Sequence, residues 1–506
     1  MERSASMSGT KPCPHRAYRM SRLAARAARR LRIGIAAVGG AALVMAGPAA
    51  VPNVAMAAAS HDWPAFHHGP HQSNAAYGDL AITPGNVASL TPAWTFAAGP
   101  STVAGAPAPA FYGSPTVAAG RVFIASKSGI LYALDAATGA VRWTKALDFG
   151  SPADCPVKGV VSTAAVAADP VTQASTVYAA GSHYLYALDP ATGAQHWKAA
   201  IGPATAAGEA RYYNWSSPLV VGGKVTMGLT AACDDLIRGG VVELDQHTGQ
   251  RLHTYYTVPA GKVGADVWSS QAGDGTSIWV TTGNAVPSAG QPYDAFSIVR
   301  LSASTFVKQE KWAPPTTTIN GDLDMGGSPS FITATIGGVS MALIGTCNKN
   351  GIFYVWQRNS LAAGPVWQRR VGQVGGTNQG ACITSPAFDA AANALWVAGN
   401  QTTINGVAVQ GSIRELDAAT GAIKWEQPLR CLPDGSPTLN ASTHVVAVPL
   451  YKCPTGVAPG VALFNSATGA PLRVITTNGR DFAQPVFAEG KLFVADESGV
   501  LRAFAP

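Results

Sequence analysis

Acidic, amide, basic and aromatic residues lie at intervals between positions 234 and 349, each beside a predicted strand. The candidates are Asp234, Trp268, Asn284, Asp324 and Lys349. Carboxylate and amide oxygens are the ligands that a hard cation such as Ca²⁺ takes. A lysine suits a ligand's carbonyl or carboxylate, and a tryptophan suits a flat ring stacked on it. Since single Asp and Asn residues at strand ends more often serve turns, only convergence of these side chains would indicate a site.

A repeated hairpin pattern predicts the elements that position these residues. The clearest copies are LYALDAATGAVRW from Leu131, LYALDPATGAQHW from Leu185 and IRELDAATGAIKW from Ile413. Alternating apolar residues predict a strand, Asp-x-x-Thr-Gly predicts the turn, and a second strand ends in Trp. Another strand pair precedes each hairpin, and the copies recur roughly every 45 to 60 residues, as propeller blades do.

The repeat predicts an all-β fold, an eight-bladed β-propeller with four-stranded antiparallel blades. The inner strands are expected to begin near Ser114, Ser162, Ser216, Ser269, Ser328, Ser385, Ser436 and Gln484. The eighth blade runs out of chain after three strands, and LTPAWTF from Leu90 supplies the fourth. This N-terminal strand closes the ring and removes both exposed edges. We interpret the tryptophans that end the hairpins as packing between blades.

Up-and-down blades bring the start of the inner strand and the end of the second strand to one face, near the channel mouth. In blades three to five these positions are occupied by Asp234, Trp268, Asn284, Asp322, Asp324 and Lys349. The sequence therefore predicts that all of them lie on one rim.

Residues 1–57 are predicted to be an export leader. Arginines precede an apolar stretch from Ile33 to Ala50, and Ala55-Met56-Ala57 offers the small-x-small site of a signal peptidase. Secretion, or a cell-surface or periplasmic location, is expected, with a membrane anchor as the alternative if the leader is not cleaved. The leader holds nine of the 35 basic and one of the 28 acidic side chains, so the remainder has a net charge of about −1. No nucleic-acid partner is predicted, because that remainder has no basic stripe.

The predicted domains are the leader (1–57), an N-terminal segment (58–89) and the propeller (90–506). The N-terminal segment contains His67, His68 and His71, which suggest a metal site. We favour the simpler interpretation, a surface segment packed along the ring.

Six cysteines follow the leader, an even number that suits disulfides in an oxidising compartment. The blade register pairs Cys155 with Cys233, Cys347 with Cys382, and Cys431 with Cys453. None of them forms a CxxC or CxxCH pattern, so neither a zinc knuckle nor a c-type haem is predicted.

Over residues 60–506 the sequence resembles the pyrroloquinoline-quinone (PQQ)-dependent alcohol dehydrogenases, including the polyvinyl-alcohol dehydrogenase-like branch. The likeness rests on DWPAFHHGPHQS followed by ITPGNVASLTPAWTF, on Thr282-Gly283-Asn284 and on NKNGIFYV around Lys349. The resemblance implies Ca²⁺ ligands at Asp234, Asn284 and Asp324. It also implies a Trp268 that stacks on the quinone, a Lys349 at the quinone carbonyls, and Asp324 as catalytic base.

The implied function is oxidation of an alcohol group, on a small molecule or a polymer, with bound PQQ and Ca²⁺. Without a haem motif, the electrons are expected to pass to an external acceptor. Two departures from the family favour an alternative, a non-catalytic propeller that presents its rim to a protein or polysaccharide. Asp234 stands where the family has Glu, and no adjacent cysteine pair is present.

Overall fold

The computed structural model describes residues 61–506 except 102–104, 150–158, 203–211, 232–236, 285–292, 316–321 and 374–379. The predicted leader, Asp234 and the Cys155–Cys233 pair lie outside the described residues. Within the described part of the chain, no helix is both long and apolar enough to cross a bilayer.

The chain forms eight antiparallel sheets that follow one another along the sequence, and the predicted eight-bladed propeller is confirmed. Two strands precede the first complete blade, β1 (Ala75–Ala76) and β2 (Thr91–Ala97). Blade one comprises β3 (Thr116–Ala118), β4 (Arg121–Ala125), β5 (Ile130–Asp135) and β6 (Val141–Ala146). Blade two comprises β7 (Ala165–Ala168), β8 (Ser175–Ala180), β9 (Tyr184–Leu188) and β10 (Gln195–Ala200). Blade three comprises β11 (Leu219–Val221), β12 (Lys224–Leu229), β13 (Gly240–Asp245) and β14 (Arg251–Tyr256). Blade four comprises β15 (Ala272–Gly273), β16 (Ser277–Thr281), β17 (Ile298–Ser302) and β18 (Lys308–Trp312).

The second half of the ring repeats this arrangement. Blade five comprises β19 (Ser330–Ile336), β20 (Val339–Asn348), β21 (Ile352–Gln357) and β22 (Trp367–Arg370). Blade six comprises β23 (Ala387–Asp389), β24 (Ala394–Ile404), β25 (Val407–Asp417) and β26 (Ile423–Leu429). Blade seven comprises β27 (Thr438–Asn440), β28 (Val445–Leu450), β29 (Gly460–Asn465) and β30 (Pro471–Thr476). Blade eight comprises β31 (Val486–Ala488), β32 (Lys491–Ala495) and β33 (Val500–Ala505), with β2 paired to β33 as its outer strand.

The Asp-x-x-Thr-Gly turn forms as its residues predict. Asp135 Oδ1 accepts hydrogen bonds from the backbone N–H of Thr138 at 2.9 Å and from its hydroxyl at 2.9 Å. Gly139 has φ +73°, and a Cβ there would lie 2.5 Å from Cε3 of Trp94 in the preceding blade. Trp94 Nε1 also donates to the carbonyl of Ala136 at 3.1 Å. The same contact between tryptophan and glycine recurs at Trp143–Gly193, Trp197–Gly249, Trp367–Gly421 and Trp425–Gly469. These tryptophans therefore pack between blades, as the sequence indicated.

Neighbouring inner strands are joined by a backbone N–H that donates to the side-chain hydroxyl of the next blade. Ser114 N donates to Thr163 Oγ1 at 2.8 Å, and Thr163 N donates to Ser217 Oγ at 3.0 Å. Gln484 N donates to Ser114 Oγ at 2.9 Å and so joins blade eight to blade one. The same bond links Ser217 to Ser270, Ser270 to Ser328, and Ser385 to Ser436. Each such residue marks the same register position, which allows rim positions in different blades to be compared.

The N-terminal segment lies against the inner strands at the end opposite the rim described below. Carbonyls of residues 61–74 accept hydrogen bonds from backbone N–H groups of seven blades, at Val117, Val166, Gly273, Phe331, Phe388, Leu439 and Glu489. Strand β1 adds a parallel fifth strand to blade seven. The interpretation of a surface segment is correct only in part, because Trp63, His67 and Asn74 are fully buried. His71 stacks on Phe331 and His68 contacts Trp63, and the described residues contain no metal-binding cluster of histidine, cysteine or acidic side chains.

Two of the three predicted disulfides are confirmed. Cys347 is bonded to Cys382, with Cα atoms 5.3 Å apart, and joins blades five and six. Cys431 is bonded to Cys453, with Cα atoms 4.2 Å apart, within blade seven. The pairing of Cys155 with Cys233 stays a prediction.

Candidate functional site

Four of the five candidate residues lie at one rim of blades four and five. Trp268 precedes β15 and Asn284 follows β16, while Asp324 precedes β19 and Lys349 follows β20. Asp234 lies outside the described residues. The blade register thus brings together side chains that are up to 81 residues apart in sequence.

Asp324 is the centre of this group, and its side chain is only 1% exposed. Trp268 Nε1 donates a hydrogen bond to Asp324 Oδ2 at 2.7 Å. Lys349 Nζ lies 3.0 Å from Asp324 Oδ1 and 5.3 Å from the centroid of the Trp268 ring. Each carboxylate oxygen therefore faces a fixed donor, and this holds the carboxylate in one orientation.

Asp322 extends the group towards solvent. Its Oδ1 accepts hydrogen bonds from Lys349 Nζ at 2.7 Å and from Asn284 Nδ2 at 2.9 Å. Burial raises the pKa of Asp322, but the charge of Lys349 and hydrogen bonds with Asp324, Lys349 and Asn284 outweigh it and hold that pKa below its usual value. Lys349 thus bridges two carboxylates, one buried and one exposed.

The backbone around these residues is fixed by its own hydrogen bonds. Lys349 N donates to the carbonyl of Asp324 at 3.0 Å, and Asn348 Nδ2 donates to the carbonyl of Leu323 at 2.9 Å. The disulfide at Cys347 anchors the end of the same strand. The NKNG loop (348–351) and the DLDM loop (322–325) are therefore joined directly by hydrogen bonds.

A buried carboxylate beside this group was not identified from the sequence. Asp266 is 1% exposed and accepts a hydrogen bond from Thr230 Oγ1 at 2.5 Å. A Cβ at Gly283 would lie 2.3 Å from Asp266 Oδ1, so the Thr-Gly-Asn strand end requires glycine there. The sequence feature that could have indicated this carboxylate is an aspartate two residues before Trp268.

A cavity of about 90 Å³ opens on this rim along the axis of the ring. In each blade, one lining residue lies two positions before the residue that takes part in the hydrogen bonds between neighbouring inner strands. We name these eight residues the mouth ring. The mouth ring comprises Tyr112, Val161, Trp215, Trp268, Gly326, Ile383, Asp434 and Phe482. Phe66 and His67 of the N-terminal segment line the same cavity.

Two carboxylates and one amide of this group could contribute oxygens to a hard cation, and Trp268 could contact a flat ring. Asn284, Asp322 and Asp324 supply amide and carboxylate oxygens within one hydrogen-bonded group, and such oxygens are what Ca²⁺ prefers. The Trp268 indole is half-buried, lines the cavity and is held by Asp324. A planar ligand at the mouth would therefore meet the aromatic face of Trp268.

Comparisons with known proteins agree with this architecture. Residues 63–286 match the family described as "Glucose/ethanol/alcohol dehydrogenase, beta-propeller domain". Polyvinylalcohol dehydrogenase of Sphingopyxis sp. (strain 113P3) is 24% identical over 370 residues, which are 62% of this chain and 52% of the relative. The chain thus spans about half the length of this curated relative.

Solved structures share the fold at low identity. Quinohemoprotein alcohol dehydrogenase from Comamonas testosteroni superposes with TM-score 0.68 and 18% identity, covering 89% of this chain and 81% of that one. A europium-containing methanol dehydrogenase gives TM-score 0.70 and 15% identity, covering 88% of this chain and 98% of that one. The resemblance seen in the sequence is therefore confirmed: the chain is similar to the PQQ-dependent alcohol dehydrogenase β-propellers, and residues 63–286 carry the match to that family.

Proposed function

We propose that this chain is an exported quinoprotein that oxidises an alcohol group with bound PQQ and Ca²⁺ and passes the electrons to an external acceptor. The observation that carries the proposal is Asp324, a buried carboxylate held between Trp268 Nε1, whose ring lines the cavity, and Lys349 Nζ. An aspartate that only stabilises a turn does not need to be buried between an indole N–H and a lysine ammonium, as Asp324 is.

Asp324 would act as the general base that takes the proton from the substrate hydroxyl. A positioned proton acceptor of this kind contributes roughly 10²- to 10⁴-fold to a rate. Trp268 keeps the carboxylate oriented through its 2.7 Å hydrogen bond and offers its ring face to the cavity. Lys349 provides positive charge beside the same carboxylate.

Asn284 and Asp324 would hold Ca²⁺, with Asp234 as a further ligand that the family resemblance implies. When bound, the quinone supplies an electrophilic carbonyl and accepts the two electrons of the alcohol. The chain's own residues bind and orient the substrate and accept its proton. Asp322 and Lys349 tie the two loops together on the solvent side.

Export is part of the proposal and is supported by the Arg-rich, apolar start of the sequence and its Ala-x-Ala site. The confirmed disulfides also suit an oxidising compartment. We propose that no haem is bound, because the sequence has no CxxCH. The partners would then be an alcohol-bearing small molecule or polymer and a separate electron acceptor.

The test is alcohol-dependent reduction of an artificial dye by the protein supplied with PQQ and Ca²⁺. Turnover that needs both additions is the expected result. If the protein binds neither PQQ nor Ca²⁺ and oxidises no primary or secondary alcohol, the chain is a non-catalytic binding module and the proposal is wrong.

A further inference from the structure

The packing between blades three and four does not follow the pattern of tryptophan on glycine. In three other blades an aromatic residue, an alanine and a tryptophan lie opposite one another on adjacent strands, as Phe493–Ala503–Trp94, Phe123–Ala133–Trp143 and Tyr178–Ala187–Trp197. In blade three the same register positions hold Thr226, Glu243 and His253, which we name the polar row. A row that is apolar in blades eight, one and two is therefore polar in blade three.

Lys224 takes the place of the indole N–H that joins neighbouring blades. After blade one, Trp143 Nε1 donates to the carbonyl of Pro190 in a turn of blade two, at 3.0 Å. Ala303 occupies the same turn position in blade four, and its carbonyl accepts a hydrogen bond from Lys224 Nζ. Blades three and four are thus joined by a charged side chain instead of an indole.

Glu243 is the buried centre of the polar row. Its side chain is 0% exposed, and its Oε2 accepts a hydrogen bond from Lys224 Nζ at 3.1 Å and lies 2.7 Å from His253 Nδ1. Its Oε1 accepts no hydrogen bond from any residue in the described part of the chain, and the buried Thr226 Oγ1 also has no partner among those residues. Because buried polar atoms usually have partners, the open carboxylate oxygen indicates a group supplied by a ligand.

A cavity of about 230 Å³ lies beside the polar row, between blades three and four. The charged Glu243 and Lys224 and the apolar Val221, Ile278 and Ala303 line it. Its remaining lining residues are exposed, so the cavity opens to solvent. Turns at the end of the blades opposite the candidate site form it, and the proposed quinone site is therefore separate from it.

The lining determines which ligand chemistry fits. Lys224 balances the charge of Glu243, so an added cation would meet the ammonium and an added anion would meet the carboxylate. A neutral ligand avoids both, and Glu243 Oε1 can only accept a hydrogen bond from it. The apolar side chains suit a ring, as the same interface has in the neighbouring blades. A cavity of about 150 Å³ holds one benzene ring, so the larger volume here admits a bicyclic one.

We propose that the cavity between blades three and four is a binding site for a neutral, flat heterocycle with an N–H donor, of the indole class. The N–H donates to Glu243 Oε1, and Val221, Ile278 and Ala303 contact the ring. The ligand thereby supplies both the partner that the carboxylate lacks and the ring that the polar row lacks. The site uses no residue of the proposed oxidation, so its test is independent of the proposed function.

The test compares indole with N-methylindole, which has a similar shape but no N–H, on the whole chain without PQQ. Indole should raise the Tm, because a ligand that binds only the native state stabilises it. Calorimetric titration should give a Kd for indole at least about tenfold lower than that for N-methylindole, as a hydrogen bond to a charged acceptor supports. No binding of indole at millimolar concentration, or equal binding of the two compounds, overturns the inference.

Glu243→Gln locates the site. Lysine only donates hydrogen bonds, so the amide oxygen stays on Lys224 and the NH₂ group takes the place of Oε1. The variant should lose the preference for indole over N-methylindole, and a preference that persists overturns the inference. Glu415→Gln is the matched control, because Glu415 occupies the same register position in blade six, opposite Trp425. It should bind indole as the parent does, and an equal loss in this control also overturns the inference.

A second variant decides the question if Glu243→Gln does not fold. Ser304 lines the cavity at an exposed position, so Ser304→Phe narrows the cavity without changing the buried core. This variant should bind indole more weakly than the parent. An indole affinity equal to that of the parent overturns the inference.

Discussion

Asp324 is the residue on which the proposed chemistry depends, and Asp324→Asn separates its orientation from its basicity. The amide oxygen can still accept the Trp268 hydrogen bond, but the side chain can no longer take a proton. We expect kcat with an artificial acceptor to fall roughly 10²- to 10⁴-fold.

The matched control for Asp324→Asn is Asp417→Asn. Asn465 already serves the equivalent turn of blade seven, with its Oδ1 accepting from Thr468 N at 3.0 Å. The control should keep full activity. Parent-like turnover by Asp324→Asn would show that the base is another residue.

Asp481 makes stability depend on pH. Burial and the neighbouring Asp496 and Glu497 raise its pKa to about 8, against the opposing effect of Thr477 and Arg502. The Asp481 carboxyl therefore keeps its proton in the native state above about pH 4, where it is ionised in the unfolded chain. Because the native state binds this extra proton, the free energy of unfolding falls as pH rises towards 8.

Asp481→Asn should remove that dependence. Between pH 5 and pH 8 the parent is expected to lose roughly 2 to 4 kcal/mol of unfolding free energy more than the variant, since one pKa unit corresponds to about 1.4 kcal/mol. Denaturant unfolding at the two pH values measures it. Equal losses in both proteins would mean that Asp481 is ionised in the fold.

The candidate site was predictable where the repeat supplies a register. Trp268, Asn284, Asp324 and Lys349 stand at strand ends that the repeat aligns, so their convergence followed from counting strands. Asp322 was placed on the same rim, but its bond to Lys349 depends on side-chain rotamers that a sequence does not specify. The Asn400–Asp434 pair joins two blades and belongs to no repeated motif, so no sequence signal indicated it.

Among the elements, the turn between the third and fourth strands of a blade is the most constrained. Gly421 has φ +68°, and a Cβ there would lie 2.4 Å from Trp367 Cε3. Gly406 has a similar φ of +79°, but nothing lies within 4 Å of its position. The two glycines therefore share the backbone strain and differ in packing.

Gly421→Ala should cost more stability than Gly406→Ala. In both variants the free energy of unfolding should fall by about 1 to 2 kcal/mol, because alanine is disfavoured in the left-handed backbone conformation. In Gly421→Ala it should fall by roughly 1 to 3 kcal/mol more, because Trp367 must move. Urea denaturation gives both values. Equal losses would contradict the role of tryptophan packing between blades.

For the molecule as a whole, ring closure by β2 was predictable because blade eight lacks a strand and LTPAWTF carries its tryptophan. The floor of the cavity was not predictable. Residues 61–74 have no repeat, and His67, His68, Gln72 and Asn74 adopt positive φ values that hydrophobic patterning does not reveal. Their burial arises from hydrogen bonds to inner strands distributed over the whole ring.

Closure predicts that β2 unfolds with the rest of the ring. Its partners run from Thr91 opposite Ala505 to Ala97 opposite Val500, and Trp94 is bound to blade one. Hydrogen exchange of the interior amides of β2 should therefore match that of β5. Much faster exchange in β2 would show that the ring opens there before it unfolds.

The central claim is that the rim of blades four and five binds PQQ with Ca²⁺, and quinone titration tests it most directly. The parent should bind one PQQ per chain, seen as a change in quinone absorption and a rise in Tm. Removal of Ca²⁺ with a chelator should weaken that binding, and Trp268→Ala should retain less quinone. No spectral change and no rise in Tm at micromolar quinone with Ca²⁺ present would contradict the account.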